Sequence, residues 1–196
     1  NGAGKSTTLK ALIGLVPPTS GEVVFRGERI AGLQPFQIAQ RGLGYVPEDR
    51  RIFTELTVLE NLEVGRQPAR PGVPNWTVER LFKLFPNLAE TGNRPAAQIS
   101  GGEQQMLTIA RTLMGNPACI LLDEPSEGLA PVIVDQMVAA VREMKSEGLS
   151  VLLSEQNLHF ATDVADRAYI IEKGRIRFNG AMSDLHADVR SAYLAV

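Results

Sequence analysis

The sequence has one cysteine, Cys119, so an internal disulfide is excluded, and a single thiol fits a reducing compartment. No stretch free of Asp, Glu, Lys and Arg exceeds eleven residues, and a membrane-spanning helix needs roughly 20 apolar residues. Neither sign of charge dominates: 20 Lys and Arg stand against 22 Asp and Glu, for a net charge of −2. That balance leaves no global basic field for nucleic acid or an anionic membrane. Internal repeats and low-complexity segments are absent, as is an initiator Met: the chain opens Asn1-Gly2-Ala3-Gly4-Lys5-Ser6-Thr7. A glycine-rich loop at the first residue has nothing to hold its front end, so a strand is expected upstream, and residues 1–196 read as a single domain truncated at its N-terminus. What is present, 44% hydrophobic and 21% charged residues, is an ordinary globular composition with enough chain for a buried core.

Apolar spacing gives the coarse order of elements. Leu9, Leu12 and Ile13 predict a helix after Lys5, closed by Gly14. Glu22 to Gly27 and Leu43 to Val46 read as strands, the second stopped by Pro47. Thr57 and Glu60 form a capping box, Val78, Leu81, Phe82 and Phe85 a helical stripe, and Met106, Ile109, Ala110 and Leu113 another after Ser100. Residues 50–115 therefore read as a mainly helical lobe. Cys119 to Leu122 and Val151 to Leu153 are short apolar runs expected of strands buried on both faces. Between them Pro131 opens a helix with Val134, Val138 and Val141 on one side. Ala168 to Phe178 reads as a hairpin about Lys173-Gly174. Strand–helix alternation implies a parallel sheet covered by helices, an α/β class.

Three motifs carry chemistry. In Gly2-Ala3-Gly4-Lys5-Ser6-Thr7 the glycines turn backbone N–H groups toward bound oxygens, Lys5 supplies a charge for β- and γ-phosphates, and Ser6 a hydroxyl for Mg²⁺. Leu121-Leu122-Asp123-Glu124-Pro125 puts two acids at the carboxyl end of an apolar strand, where open α/β sheets bind ligands. Adjacent carboxylates there repel, so a cation is the simpler account: Asp123 would hold Mg²⁺, and Glu124 would orient or deprotonate an attacking water. Ser100-Gly101-Gly102-Glu103 is a capping box with two glycines in its first turn, each costing about 1 kcal/mol against alanine in a helix interior. A cap alone does not need them; a second anion site does.

This set resembles the ATP-binding subunit of ABC transporters over nearly the whole chain. The resemblance implies a P-loop NTPase core with a parallel sheet, an antiparallel β part and an inserted helical lobe, and an upstream residue that stacks on adenine. It implies ATP and Mg²⁺ as ligands. The loop Asn1 to Thr7 would hold ATP; Ser6, Asp123 and, in a position usually taken by Gln, Glu48 would face the metal. Glu124 would be catalytic, with Gln156 where the family usually has His. Gln donates and accepts hydrogen bonds but takes up no proton, so Gln156 is expected to position rather than shuttle. Ser100, Gly101, Gly102 and Glu103 would cap the nucleotide of a second, homologous ATPase subunit.

Val46-Pro47-Glu48 with Arg50-Arg51, the run Glu124 to Pro131 and Glu155-Gln156-Asn157 are similar to the shorter ATPase of bacterial branched-chain amino acid uptake systems. That implies a heterodimeric ATPase pair, two membrane permease subunits, a periplasmic solute-binding protein, no nucleic acid, and a peripheral place on the cytoplasmic face of the inner membrane. Urea and short-chain amide importers are close relatives of that reading. A soluble ABC-type ATPase of DNA repair or translation, and a small-molecule P-loop kinase, stand as alternatives. Ile52-Phe53 offers an apolar contact for a membrane subunit; His159 and His186 are solvent or packing residues.

Overall fold

The computed structural model describes residues 2–185; His186 lies outside them. The elements run α1 (Lys5–Leu12), β1 (Val24–Phe25), β2 (Glu28–Arg29), α2 (Pro35–Gln40), β3 (Leu43–Val46), α3 (Val58–Gly65), α4 (Val78–Leu84), α5 (Pro86–Glu90), α6 (Gly101–Leu113), β4 (Cys119–Asp123), α7 (Pro131–Ser146), β5 (Ser150–Ser154), α8 (Leu158–Val164), β6 (Arg167–Glu172) and β7 (Arg175–Ala181).

A parallel sheet of order β3-β4-β5 organises the molecule. Side chains alternate across β4. Ile120 and Leu122 join the large apolar cluster with Val58, Leu62, Leu107, Val141 and Phe160, while Leu121 packs with Ile13, Ile30, Ile38 and Leu43 on the other side. The central strand is thus covered on both faces, as its unbroken apolar run requires. Register then fixes the chemistry: Val46 pairs with Leu122 and Asp123 with Ser154, so the three strands end together.

The helices α3 to α6 lie between β3 and β4 in sequence and share one continuous core with α7 and α8. The Thr57 box that starts α3 is reciprocal, with the Glu60 N–H on Thr57 Oγ1 at 3.2 Å and Thr57 N–H on the Glu60 carboxylate at 2.8 Å. Buried Asn61 pins the loop ahead of α3, accepting from Phe53 N–H at 2.9 Å and donating to the Phe53 carbonyl at 2.9 Å. No helix among the described residues is long and apolar enough to cross a membrane.

Two expectations need correction. Val151 to Leu153 is less buried than its unbroken apolar run implies: among the described residues β5 pairs only with β4, its exposure alternates, and Leu152 is 37% exposed. The strand expected over Glu22 to Gly27 is only Val24–Phe25, because Arg26 (φ 51°) and Gly27 (φ 82°) turn the chain back into β2 as a two-residue hairpin. Of the pair Ile52-Phe53, Ile52 packs against the large core; Phe53 stays exposed, with the Arg111 guanidinium 4.9 Å from its ring centroid. The Lys173-Gly174 hairpin stands where the sequence puts it.

Close approach of α3 and α6 depends on Gly65. A Cβ there would lie 2.2 Å from the backbone oxygen of Arg111, so the helices would have to separate. Gly65→Ala is expected to destabilise the protein by about 2 kcal/mol, although alanine is the better helix former by about 1 kcal/mol. Urea denaturation checks the sign; a stabilised variant would contradict the packing.

Candidate nucleotide site

The loop Gly2 to Gly4 turns into α1 with Gly4 in the left-handed region (φ 102°), which an L side chain rarely adopts. No side chain caps α1 and no acid lies in its first turn, so its leading N–H groups face outward as an anion-binding end. The hairpin turn holds the loop from behind: Gly174 N–H donates to the Ala3 carbonyl at 2.9 Å.

These residues open onto a cavity of about 330 Å³ whose wall is Gly2 to Thr7 on one side and Glu48, Glu124, Glu127 and Gln156 on the other. The sheet delivers the second group. Asp123, 1% exposed, accepts from Ser6 Oγ at 2.9 Å and from the Tyr45 hydroxyl at 3.2 Å. Burial, and then the Asp123 carboxylate, push the Tyr45 hydroxyl well above its ordinary value, so it stays a donor. Glu124, 6% exposed, sits in the left-handed region (φ 48°), a strain common at functional sites. One oxygen, Oε1, meets the Lys5 ammonium at 3.1 Å and accepts from Gln156 Nε2 at 3.0 Å. A carboxylate this buried is costly unless paired, and Lys5 supplies the pairing.

The residues expected at the first nucleotide from Gly2 onward thus converge: the loop, Lys5, Ser6, Thr7, Glu48, Asp123, Glu124 and Gln156. Asn1 lies outside the described residues. Ser100, Gly101, Gly102 and Glu103 do not line this cavity. They begin α6 as a reciprocal cap, Ser100 N–H on Glu103 Oε2 at 2.7 Å and Glu103 N–H on Ser100 Oγ at 3.3 Å. Around these glycines space is limited but yielding: a Cβ on Gly102 would lie 3.0 Å from the Ile133 side chain, and one on Gly101 would lie 2.7 Å from the end of the flexible Arg50 side chain, which can move aside.

Sequence reasoning gave no role to Tyr45, Glu127 or Glu155. Tyr45 shares a face with Asp123 only through β3–β4 register. Glu155 accepts backbone N–H groups from Ser126, Gln156 and Asn157 at 3.1, 2.8 and 2.9 Å. Cys119, half-buried in β4, packs beside the smaller apolar cluster, and burial pushes its thiol up to about 11. Arg51 pairs with Asp49 at 2.8 Å, and His159 is exposed beside Asp163.

Hard oxygen donors, the Ser6 hydroxyl and the Asp123 carboxylate, meet at the foot of the phosphate loop. Among the described residues no group of three His, Cys, Asp or Glu is disposed to hold a metal alone. That donor set fits Mg²⁺, which keeps waters and shares its shell with substrate phosphates rather than filling a protein cage.

Comparison with known proteins agrees with the geometry. Residues 1–127 match the family described as ABC transporter. The chain is 43% identical over 196 residues to a high-affinity branched-chain amino acid transport ATP-binding protein, BraG, of Pseudomonas aeruginosa, covering 99% of this chain and 84% of that protein. It is 36% identical over 198 residues to the lipopolysaccharide export system ATP-binding protein LptB of Haemophilus influenzae, covering 99% and 82%. Among solved structures, the ADP conformation of an ATP-binding cassette of an ABC transporter superposes with a TM-score of 0.80 at 27% identity, covering 99% of this chain and 84% of that one.

Glu48 carries an electrostatic signature of this cavity. Partial desolvation, then Glu127, then Asp123 and Glu124 raise its pKa above the ordinary 4.5. Folding therefore favours its protonated form; that contribution is complete below 4.5 and is lost as pH rises through the raised value. In the nucleotide-free protein Glu48→Gln should raise Tm at pH 7, and the gain should vanish as pH falls below 4.5. A gain that persists at low pH would show that charge is not its cause.

Proposed function

The chain belongs to the ABC transporter ATP-binding family and is an ATP hydrolase, and we propose that it powers import of branched-chain or other hydrophobic amino acids. The observation that carries the chemical part is the single oxygen of Glu124 held between Lys5 at 3.1 Å and Gln156 at 3.0 Å, next to the Asp123–Ser6 pair.

In the proposed reaction the γ-phosphate enters between the α1 N-terminus and Lys5, and the Lys5 ammonium transfers from Glu124 to phosphate oxygen. Glu124, released from that pairing, accepts a proton from a water whose oxygen attacks the γ-phosphorus while the bond to the β-phosphate oxygen breaks. Gln156 spans Glu124 and the water and fixes the line of attack without taking a proton. Ser6, Asp123 and, across the cavity, Glu48 would hold Mg²⁺, whose charge offsets that of the phosphates when bound.

Ser100, Gly101 and Gly102, with Glu103 closing the cap, would present the N-terminus of α6 to ATP held by a second, homologous ATPase subunit. A heterodimer of this kind would couple to two membrane permease subunits and receive solute from a periplasmic binding protein. The chain would then lie peripherally on the cytoplasmic face of the bacterial inner membrane, with no nucleic-acid partner. Similarity to BraG at 43% identity supports the amino acid reading. Similarity to LptB over 99% of the chain supports export of a lipid-linked saccharide as a second reading.

Glu124→Gln is expected to lower ATP turnover by about 10² to 10⁴-fold while ATP binding persists, and Lys5→Ala to weaken binding itself. Turnover by Glu124→Gln at the parent rate would overturn the assignment. In proteoliposomes holding the co-purified partners, ATP-driven uptake of leucine, isoleucine or valine supports import; turnover that responds only to lipopolysaccharide supports the second reading.

A further inference from the structure

We propose that Glu155 is a positioning residue for hydrolysis, clamping the segment that follows Glu124 to the segment that carries Gln156. The inference rests on the roles given above to Glu124 and Gln156. The sheet ladder between the two segments ends at Asp123 and Ser154, and one further backbone bond runs from Glu124 N–H to the Ser154 carbonyl at 2.8 Å. Beyond it both segments leave the sheet. There the Glu155 carboxylate carries the cross-link onward: Oε1 accepts from Ser126 N–H at 3.1 Å, and Oε2 accepts from Gln156 N–H at 2.8 Å and Asn157 N–H at 2.9 Å.

Both oxygens of a carboxylate are acceptors, and both are engaged by donors that belong to different segments. The Oε2 arm sets the backbone of Gln156, whose side chain reaches Glu124 Oε1 at 3.0 Å. The Oε1 arm sets Ser126, two residues past Glu124 and next to Glu127, which lines the cavity. Glu124 itself is held at φ 48°, a conformation that persists only where its surroundings over-determine it. With the clamp in place, Glu124 and Gln156 keep one separation, whatever the loops beyond them do. Glutamine at 155 keeps one acceptor oxygen and turns an amide NH₂ toward an N–H, so one arm is lost. Aspartate keeps the charge but is a methylene too short to span both segments.

The test is steady-state ATP hydrolysis by the full-length chain in its native assembly, for the parent, Glu155→Gln, Glu155→Asp, Gln156→Ala and the Glu155→Gln/Gln156→Ala double variant. Misplacing a catalytic group by about 1 Å costs up to about 10²-fold. Glu155→Gln is therefore expected to lower kcat by at least about tenfold, with KM for ATP within about twofold of the parent. Glu155→Asp should behave alike. In the Gln156→Ala background Glu155→Gln should cost less than it does in the parent, because the Oε2 arm acts through Gln156 while the Oε1 arm still sets the segment after Glu124. An unchanged kcat, full activity in Glu155→Asp, losses that multiply in the double variant, or a fall in kcat matched by a fall in thermal stability would each overturn the clamp. A Glu124→Gln control that loses turnover while Glu155→Gln does not overturns the clamp alone and leaves the assignment of Glu124 standing.

Discussion

The contact between the Lys5 ammonium and Glu124 Oε1, 3.1 Å long with the carboxylate 6% exposed, is the constraint on which the rest of the molecule depends. A desolvated carboxylate at the end of a buried strand is tolerable only when a cation meets it. That cation comes from a loop 119 residues away in sequence, so the fold must bring the two together. It does so by covering both faces of β4, by anchoring Ala3 to the hairpin turn at Gly174, and by tying Ser6 to Asp123. On the proposed reading the same pairing would make the site responsive: a triphosphate would compete for Lys5 and remove from Glu124 the cation that pairs it.

The α6 N-terminus is a separate matter. Its cap is complete within the chain, with Ser100 and Glu103 satisfying each other's N–H groups, and the side chains of Arg50 and Ile133 lie close over the two glycines. Packing and anion recognition are compatible here, because the features that let a side chain approach also leave backbone exposed. The role proposed for it toward a partner's nucleotide rests on the resemblance and not on anything the single chain brings together. The cavity beside Lys5, by contrast, is assembled entirely from one chain.

Much of this was legible before the structure. The phosphate loop, the acid-tipped strand and the Ser100 cap depend on local chemistry, a few residues at fixed spacing, whereas Gln156 came only from the resemblance. The sequence reading missed what local pattern does not encode. β5 read as buried because Val151, Leu152 and Leu153 are all apolar; how far such a strand is covered depends on its neighbours in the sheet and the layers over it, which composition does not encode. α2 was not recognised because its box uses Gln34 and Gln37 in place of the commoner Ser or Thr and Glu. β2 was hidden because Glu28 and Arg29 are both exposed and carry no apolar alternation. Tyr45 and Glu155 act through long-range register and backbone N–H groups, and no spacing rule points to either.

The central claim is that Lys5 and Glu124 part company around a triphosphate. A crystal structure of the full-length Glu124→Gln variant with ATP and Mg²⁺ tests it most directly. The account predicts the Lys5 ammonium on the γ-phosphate, away from position 124, with the Gln156 amide within hydrogen-bonding distance of the same phosphate. Nucleotide seated outside the Gly2 to Thr7 loop, or Lys5 still lodged against position 124 beside a bound triphosphate, would contradict it.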